Sequence, residues 1–150
     1  MNEENDLPGQ LRELLEDQRL AVISTRTGDQ PYSNLICFAA TNDLKHILFA
    51  TTRATRKYAN LMKESQIALL VDNRSHGLVD PFRALALTAL GKAVELKGTE
   101  SAQALSIYIA RHPHMQEFAS SPSTALFRMN VEKYILVRRF QDVMELQVTL

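Results

Sequence analysis

The chain contains no tryptophan and one cysteine, Cys37. A lone thiol excludes an internal disulfide and any cluster of cysteines around a metal. Charge of one sign is also lacking: 17 Lys and Arg balance 17 Asp and Glu, so the basic surplus of a general nucleic-acid binder is missing. Long apolar runs are absent. The central stretch Leu85–Leu90 falls far short of the ~20 residues that a membrane-spanning helix needs. The opening residues, MNEENDLP, are acidic and carry neither the basic nor the apolar region of a secretory signal. Nothing repeats, and no segment is compositionally simple. The 150 residues are enough to bury a real core. The expectation is one cytoplasmic domain over residues 1–150 that engages neither nucleic acid nor membrane.

Hydrophobic patterning places the elements. Leu7–Gln18 reads as a helix, with Leu11, Leu14 and Leu15 on one stripe and Pro8 in its first turn. Leu20–Thr25 is a β-branched run, and the turn cluster Thr27–Gln30 leads it into Tyr32–Ala40 as a hairpin. A second turn at Thr41–Asp43 leads into Lys45–Thr51, completing an antiparallel meander. A helix is predicted over Thr55–Lys63, a strand over Gln66–Val71, and a polar loop over Asp72–Phe82 with Gly77 and Pro81. Ala84–Leu96 reads as a long strand whose Gly91 marks a bulge or bend. Thr99 and Glu100 open a helix that runs to about Arg111 and is ended by His112 and Pro113. Ala125–Val131 and Tyr134–Phe140 are predicted as the last two strands. Hairpins with a few intervening helices lack the strand–helix alternation of a doubly wound sheet. The predicted class is mainly β: a six- to seven-stranded antiparallel barrel with flanking helices.

The segment FATTRATRKYAN, Phe49–Asn60, concentrates the chemistry. An apolar run ends in two threonines, and Arg53, Thr55, Arg56 and Lys57 follow where a helix should begin. A helix start presents unpaired N–H groups and the positive end of the dipole. Arginine adds a fork for two phosphate oxygens and lysine a point charge. The alternative is a helix that merely starts with solvated charges.

Those residues, in that order of elements, resemble the FMN-binding split-barrel superfamily of pyridoxamine 5′-phosphate oxidase-like proteins. The similarity is carried by LRELLEDQRLAVIST, PYSNLICFA, ILFATTRATRKYANLMKESQIALLV and LALTALGKAVEL. The family's strand ending in Tyr-Thr, followed by Ser-Arg-Lys at a helix start, is matched by Ala50 and Thr51 and then Thr55, Arg56 and Lys57. The resemblance implies that Arg56 and Lys57 hold the FMN phosphate, with Thr51 and Thr55 adding hydrogen bonds. It implies that Asn34, Leu35, Ile36 and Cys37 lie along the flavin. It also implies a homodimer with the cofactor at the subunit interface. Oxidase members carry an arginine where this chain has Asn34 and a glutamine where it has Ala86. These departures point away from pyridoxamine 5′-phosphate as substrate. PYSN, DNRSHGLVDPFRALAL and ARHP also resemble the barrel domain of haem-utilisation proteins.

Other candidates are weaker. His112 and His114 flank Pro113, a poor spacing for a metal, so a helix-ending role is expected and no metal site is predicted. His46 reads as a surface strand residue, and His76 falls in the polar loop. Cys37 reads as a small buried hydrophobe, and Arg138 with Arg139 as solvated charges. Asp72 and Asp80 form no recognisable acid–base pair. No catalytic residue is identifiable, which suits a chain whose cofactor carries the redox chemistry. The leading expectation is an FMN-dependent oxidoreductase acting on a small-molecule substrate or electron donor. The deazaflavin F420 is an alternative cofactor. A non-catalytic flavin- or haem-binding module for sensing, storage or transfer is the alternative function. An oligonucleotide-binding barrel ranks last, because Tyr32 and Phe38 are not joined by a basic face.

Overall fold

The computed structural model describes residues 6–74 and 81–149. His76, Gly77 and Asp80 lie outside the described residues. Helix α1 (Leu7–Asp17) starts at Asp6, whose carboxylate accepts from the Gly9 amide at 3.1 Å. Strands β1 (Leu20–Thr27) and β2 (Gln30–Ala40) form the expected hairpin, and Gly28 at the turn takes φ 56°. Then come β3 (His46–Thr52), α2 (Arg56–Lys63), β4 (Gln66–Asp72), a 3-10 turn at Pro81–Arg83 and β5 (Leu85–Glu95). After them run α3 (Gly98–Arg111), α4 (Gln116–Ser120), β6 (Thr124–Arg138) and β7 (Asp142–Gln147).

All strand pairings are antiparallel, in the order β3-β2-β1-β4-β5-β6-β7, and a further β3–β6 pairing closes the first six strands into a barrel. β7 hangs outside the closure on β6. The barrel is the expected split barrel of mainly β class with flanking helices. Inward residues alternate along each strand: Ile36 and Phe38, Ile47 and Phe49, Leu87 and Ala89, Ala125 and Phe127 meet in one core. Leu11, Leu14 and Leu15 of α1 and Leu61 of α2 join it. A second, outer cluster joins Ala39, Leu48, Ala50 and Leu126 to Ala104 and Tyr108 of α3 and Ala119 of α4.

Two sequence-based boundaries are corrected. The predicted strands Ala125–Val131 and Tyr134–Phe140 are one strand, β6, and the last strand is β7. Between them lies a bulge. Leu90 pairs with Lys133 and Gly91 with Val131, so Glu132 is an extra residue and the inward parity passes from Val131 to Tyr134. Gly91 is required there because a Cβ would collide with the Asn130 carbonyl. The β6–β7 turn is made by Arg139 and Phe140 at φ 52° and 64°, a conformation usually signalled by Asn or Gly. The short helix α4 was also not foreseen.

Candidate functional site

The apolar run of β3 ends at Thr51 and Thr52, and α2 begins four residues later. Thr55 caps α2: its hydroxyl accepts from the Tyr58 amide at 3.1 Å and donates to the Thr52 carbonyl at 3.0 Å. Thr51 Oγ1 lies 3.1 Å from Thr55 Oγ1. Since the Thr55 proton is already committed, Thr51 is the donor in that pair and keeps its own lone pairs. The amides of Arg56 and Lys57 follow the cap and have no intrahelical acceptor.

Lys57 is the unusual member. Its side chain lies on the same face of α2 as Asn60 and Leu61 and is only 7% exposed. Asn60 is anchored by Thr25 at 3.0 Å and by Thr27. Lys57 has no acidic or hydrogen-bonding partner among the described residues, and burial pushes its ammonium below the usual lysine range. A desolvated cation without a counter-ion is costly unless something supplies the charge.

Lys57 opens onto a groove of 310 Å³ on the outside of the barrel. One wall is polar: Thr51, Thr52, Thr55 and Lys57. The floor is Leu35, Cys37 and Ala50, with Ile36 between the first two turned to the core and Leu20 at the edge. The opposite wall is Tyr108 of α3, with Met115 and Phe118 after it. Tyr108 donates to the Cys37 carbonyl at 3.4 Å, and His112 Nε2 lies 2.6 Å from the Phe38 carbonyl, so α3 is tied to β2 at two successive residues. The carbonyl fixes the proton on Nε2. Burial then lowers the His112 pKa, and the residue ends α3 as a neutral imidazole. Burial likewise raises the Cys37 thiol and the Tyr108 phenol, so both are protonated near neutrality.

Of the nine residues singled out by sequence, seven line this groove: Leu35, Ile36, Cys37, Ala50, Thr51, Thr55 and Lys57. Two do not. Asn34 shares the inward parity of Ile36, and its Oδ1 is buried without a partner. Arg56 is exposed, with its guanidinium 5.5 Å from the centre of the Tyr32 ring. Arg53, grouped with the phosphate segment by sequence, is occupied by Glu95 and by carbonyls of residues 122 and 124. Sequence reasoning missed Leu20, Thr52, Tyr108, Met115 and Phe118. The last three stand well away in the chain, and only an apolar residue in an otherwise polar stretch marks Phe118. Among the described residues, no three His, Cys, Asp or Glu side chains gather to hold a metal, and no helix is long and apolar enough to cross a membrane.

The polar wall suits a phosphate, and the apolar floor suits an aromatic ring system. A sequence model of the family described as pyridoxamine 5′-phosphate oxidase matches residues 7–138. No curated protein matches the sequence. Solved structures agree on the fold. A heme binding protein from Mycobacterium smegmatis superposes with a TM-score of 0.82 at 13% identity over 93% of this chain. The chain spans only 57% of that protein's length. The heme storage protein HutZ from Vibrio cholerae gives 0.73 at 14% identity, covering 91% of this chain and 92% of that one. An FAD-binding protein from Mesorhizobium loti gives 0.68 at 15%, covering 85% and 89%.

Proposed function

Because the chain belongs to the pyridoxamine 5′-phosphate oxidase family, we propose that the outer groove holds FMN and that the protein is a flavin-dependent oxidoreductase of a small molecule. The observation that carries this reading is Lys57: a buried ammonium with no protein counter-ion, beside the open amides of a helix start. A phosphate dianion there would supply the missing charge. Thr51 would donate to a phosphate oxygen only by releasing Thr55. Thr55 serves chiefly by capping α2 and so aiming the Arg56 and Lys57 amides. Arg56 would add its charge only by leaving Tyr32. Leu35 and Cys37 provide an apolar floor and, with Ile36, main-chain groups for the ring, and Tyr108, Met115 and Phe118 keep water from its far side. Bound flavin supplies the hydride or electron transfer itself.

The reading extends to a homodimer. Leu20, Val22, Leu35 and Leu70 form an outward face of β1, β2 and β4, on which Leu20 is 53% and Leu35 63% exposed. Leu20 and Leu35 also border the groove. A second copy covering this face would therefore complete the cofactor site as well as remove apolar surface from water. Sedimentation at micromolar concentration tests it: a dimer is expected, and a sole 16.9 kDa species counts against it.

Titration of FMN and riboflavin by flavin fluorescence tests the central reading. The ring contacts are common to both, so the phosphate must supply the difference. FMN is expected to bind at least roughly a hundredfold tighter, about 2.7 kcal/mol, and high salt should narrow the gap. Equal binding of the two, or binding of neither, removes the phosphate site. The absorption spectrum of the purified protein separates flavin bands from a haem Soret band.

A further inference from the structure

We propose that Arg53 is a positioning residue that fixes the two walls of the groove relative to each other, an inference that rests on the flavin reading above. Arg53 sits in the turn between β3 and α2, immediately after Thr51 and Thr52 and just before Thr55 and Lys57. It does not line the groove. Its amide donates to the Ser123 carbonyl at 3.0 Å. One guanidinium nitrogen donates to the carbonyls of Pro122 at 2.7 Å and Thr124 at 3.1 Å. The other reaches Glu95 at 3.4 Å.

Residues 121–123 join α4, which carries Phe118, to β6, whose first residue is Thr124. Glu95 ends β5, and its second oxygen accepts from Tyr58 of α2 at 2.8 Å. The Glu95 side chain is 10% exposed and that of Arg53 43%, so the ion pair is shielded from solvent on the carboxylate side only. One side chain thus clamps the phosphate-side turn to the segment behind the apolar wall. A planar fork can satisfy three acceptors in different directions; an ammonium at the end of a lysine cannot reproduce that spread. Three of the five guanidinium N–H groups of Arg53 are spent on the protein and its charge is paired with Glu95. It acts through Thr51, Lys57 and Phe118, by holding a site already shaped for a ligand that touches both walls.

The test is titration of FMN and of riboflavin into the wild-type chain, Arg53→Met and Arg53→Lys, with folding checked by circular dichroism and thermal unfolding. Both variants should lose roughly tenfold in affinity for both flavins, with the FMN-to-riboflavin ratio retained. Three results would overturn the inference. Loss for FMN alone means that Arg53 touches the phosphate. Wild-type affinity in Arg53→Lys means that charge suffices. A lowered melting temperature with unchanged affinities means that Arg53 only supports the fold. Glu95→Gln keeps the Tyr58 contact and removes the ion pair, so a loss of about threefold for both flavins is expected. If the Arg53 variants do not fold, unchanged affinity in Glu95→Gln overturns the proposal alone. Wild-type protein that binds neither flavin overturns the flavin reading itself, and this inference with it.

Discussion

The two faces of β3 are built from different materials. Its inward side presents Ile47 and Phe49, and Phe49 stacks on Phe127 with centroids 5.4 Å apart and planes 7° from parallel. Its outward side presents Leu48 and Ala50, and the cluster around them is rich in alanine: Ala39 of β2, Ala104 of α3 and Ala119 of α4. Large side chains fill the inside. Small ones outside let α3 approach β2 and β3 while leaving a furrow whose floor includes Ala50. Stability and binding are thereby assigned to opposite sides of one sheet, and neighbouring residues of one strand can serve different ends.

Phe127→Ala probes that division most severely. It removes the stacked partner of Phe49 and the ring that Tyr58 meets edge-on at 6.0 Å, and should lower unfolding free energy by about 3–5 kcal/mol in urea. FMN affinity of the folded fraction should hold within about threefold if the two faces are separable; a collapse of both would break the distinction.

Lys57→Met reverses the pattern. FMN affinity should fall by about 1.5–3 kcal/mol, while ligand-free stability holds or rises because a desolvated cation has gone. The sign of the pH effect sharpens this. Burial lowers the Lys57 pKa, so above that value the unfolded chain still holds a proton that the folded chain has lost. Lys57 therefore adds to ligand-free stability as pH rises through its folded value toward the ~10.4 of a free lysine. The phenols of Tyr108 and Tyr134 are raised by burial and slope the other way in both proteins. The difference between wild-type and Lys57→Met urea profiles isolates the lysine, and identical profiles would show that it is not desolvated.

Smaller effects are expected at the edges of the outer layer. Arg56→Ala should weaken FMN by about 1 kcal/mol, since its exposed charge must leave Tyr32 before it helps. A loss as large as that of Lys57→Met would make the two cations equal partners. His112 gives the last measurement. Its pKa is lowered by burial, so its contribution is present above the ~6.5 of a free histidine and is lost as pH falls below it. His112→Gln keeps a donor for Phe38 and should reduce the loss of stability on acidification below that value; an unchanged slope assigns the acid sensitivity elsewhere.

What the sequence revealed follows from how local each signal was. Gly28 beside Asp29 marked the first hairpin, Thr55 the start of α2, and Gly91 the bulge. The polar wall was legible because Thr51, Thr55 and Lys57 lie within seven residues of chain. Glu132 was mistaken for a break because the parity of apolar residues changes there, which a bulge produces as readily as a turn. The true turn carries Arg139 and Phe140, whose positive φ no side-chain preference announces. Helix α4, at five residues, is shorter than any periodicity can mark. The aromatic wall was invisible because Tyr108 and Phe118 reach the groove only through tertiary packing. Arg53 looked like a ligand for the same reason: its acceptors, two carbonyls and the Glu95 carboxylate, are distant in the chain.

The pairing that closes the barrel has a kinetic side. β3 meets β6 with His46 opposite Asn130 and Thr52 opposite Thr124, partners drawn from distant parts of the chain. Such non-local contacts form slowly, because loop entropy must be lost before they reward it. The hairpin of β1 and β2 faces no such delay. Thr51 and Phe118 stand on opposite sides of that seam, so the groove exists only once the seam is shut. In stopped-flow refolding with FMN present, flavin quenching should therefore appear with the slowest phase. The site acts as a clock for the final event of folding.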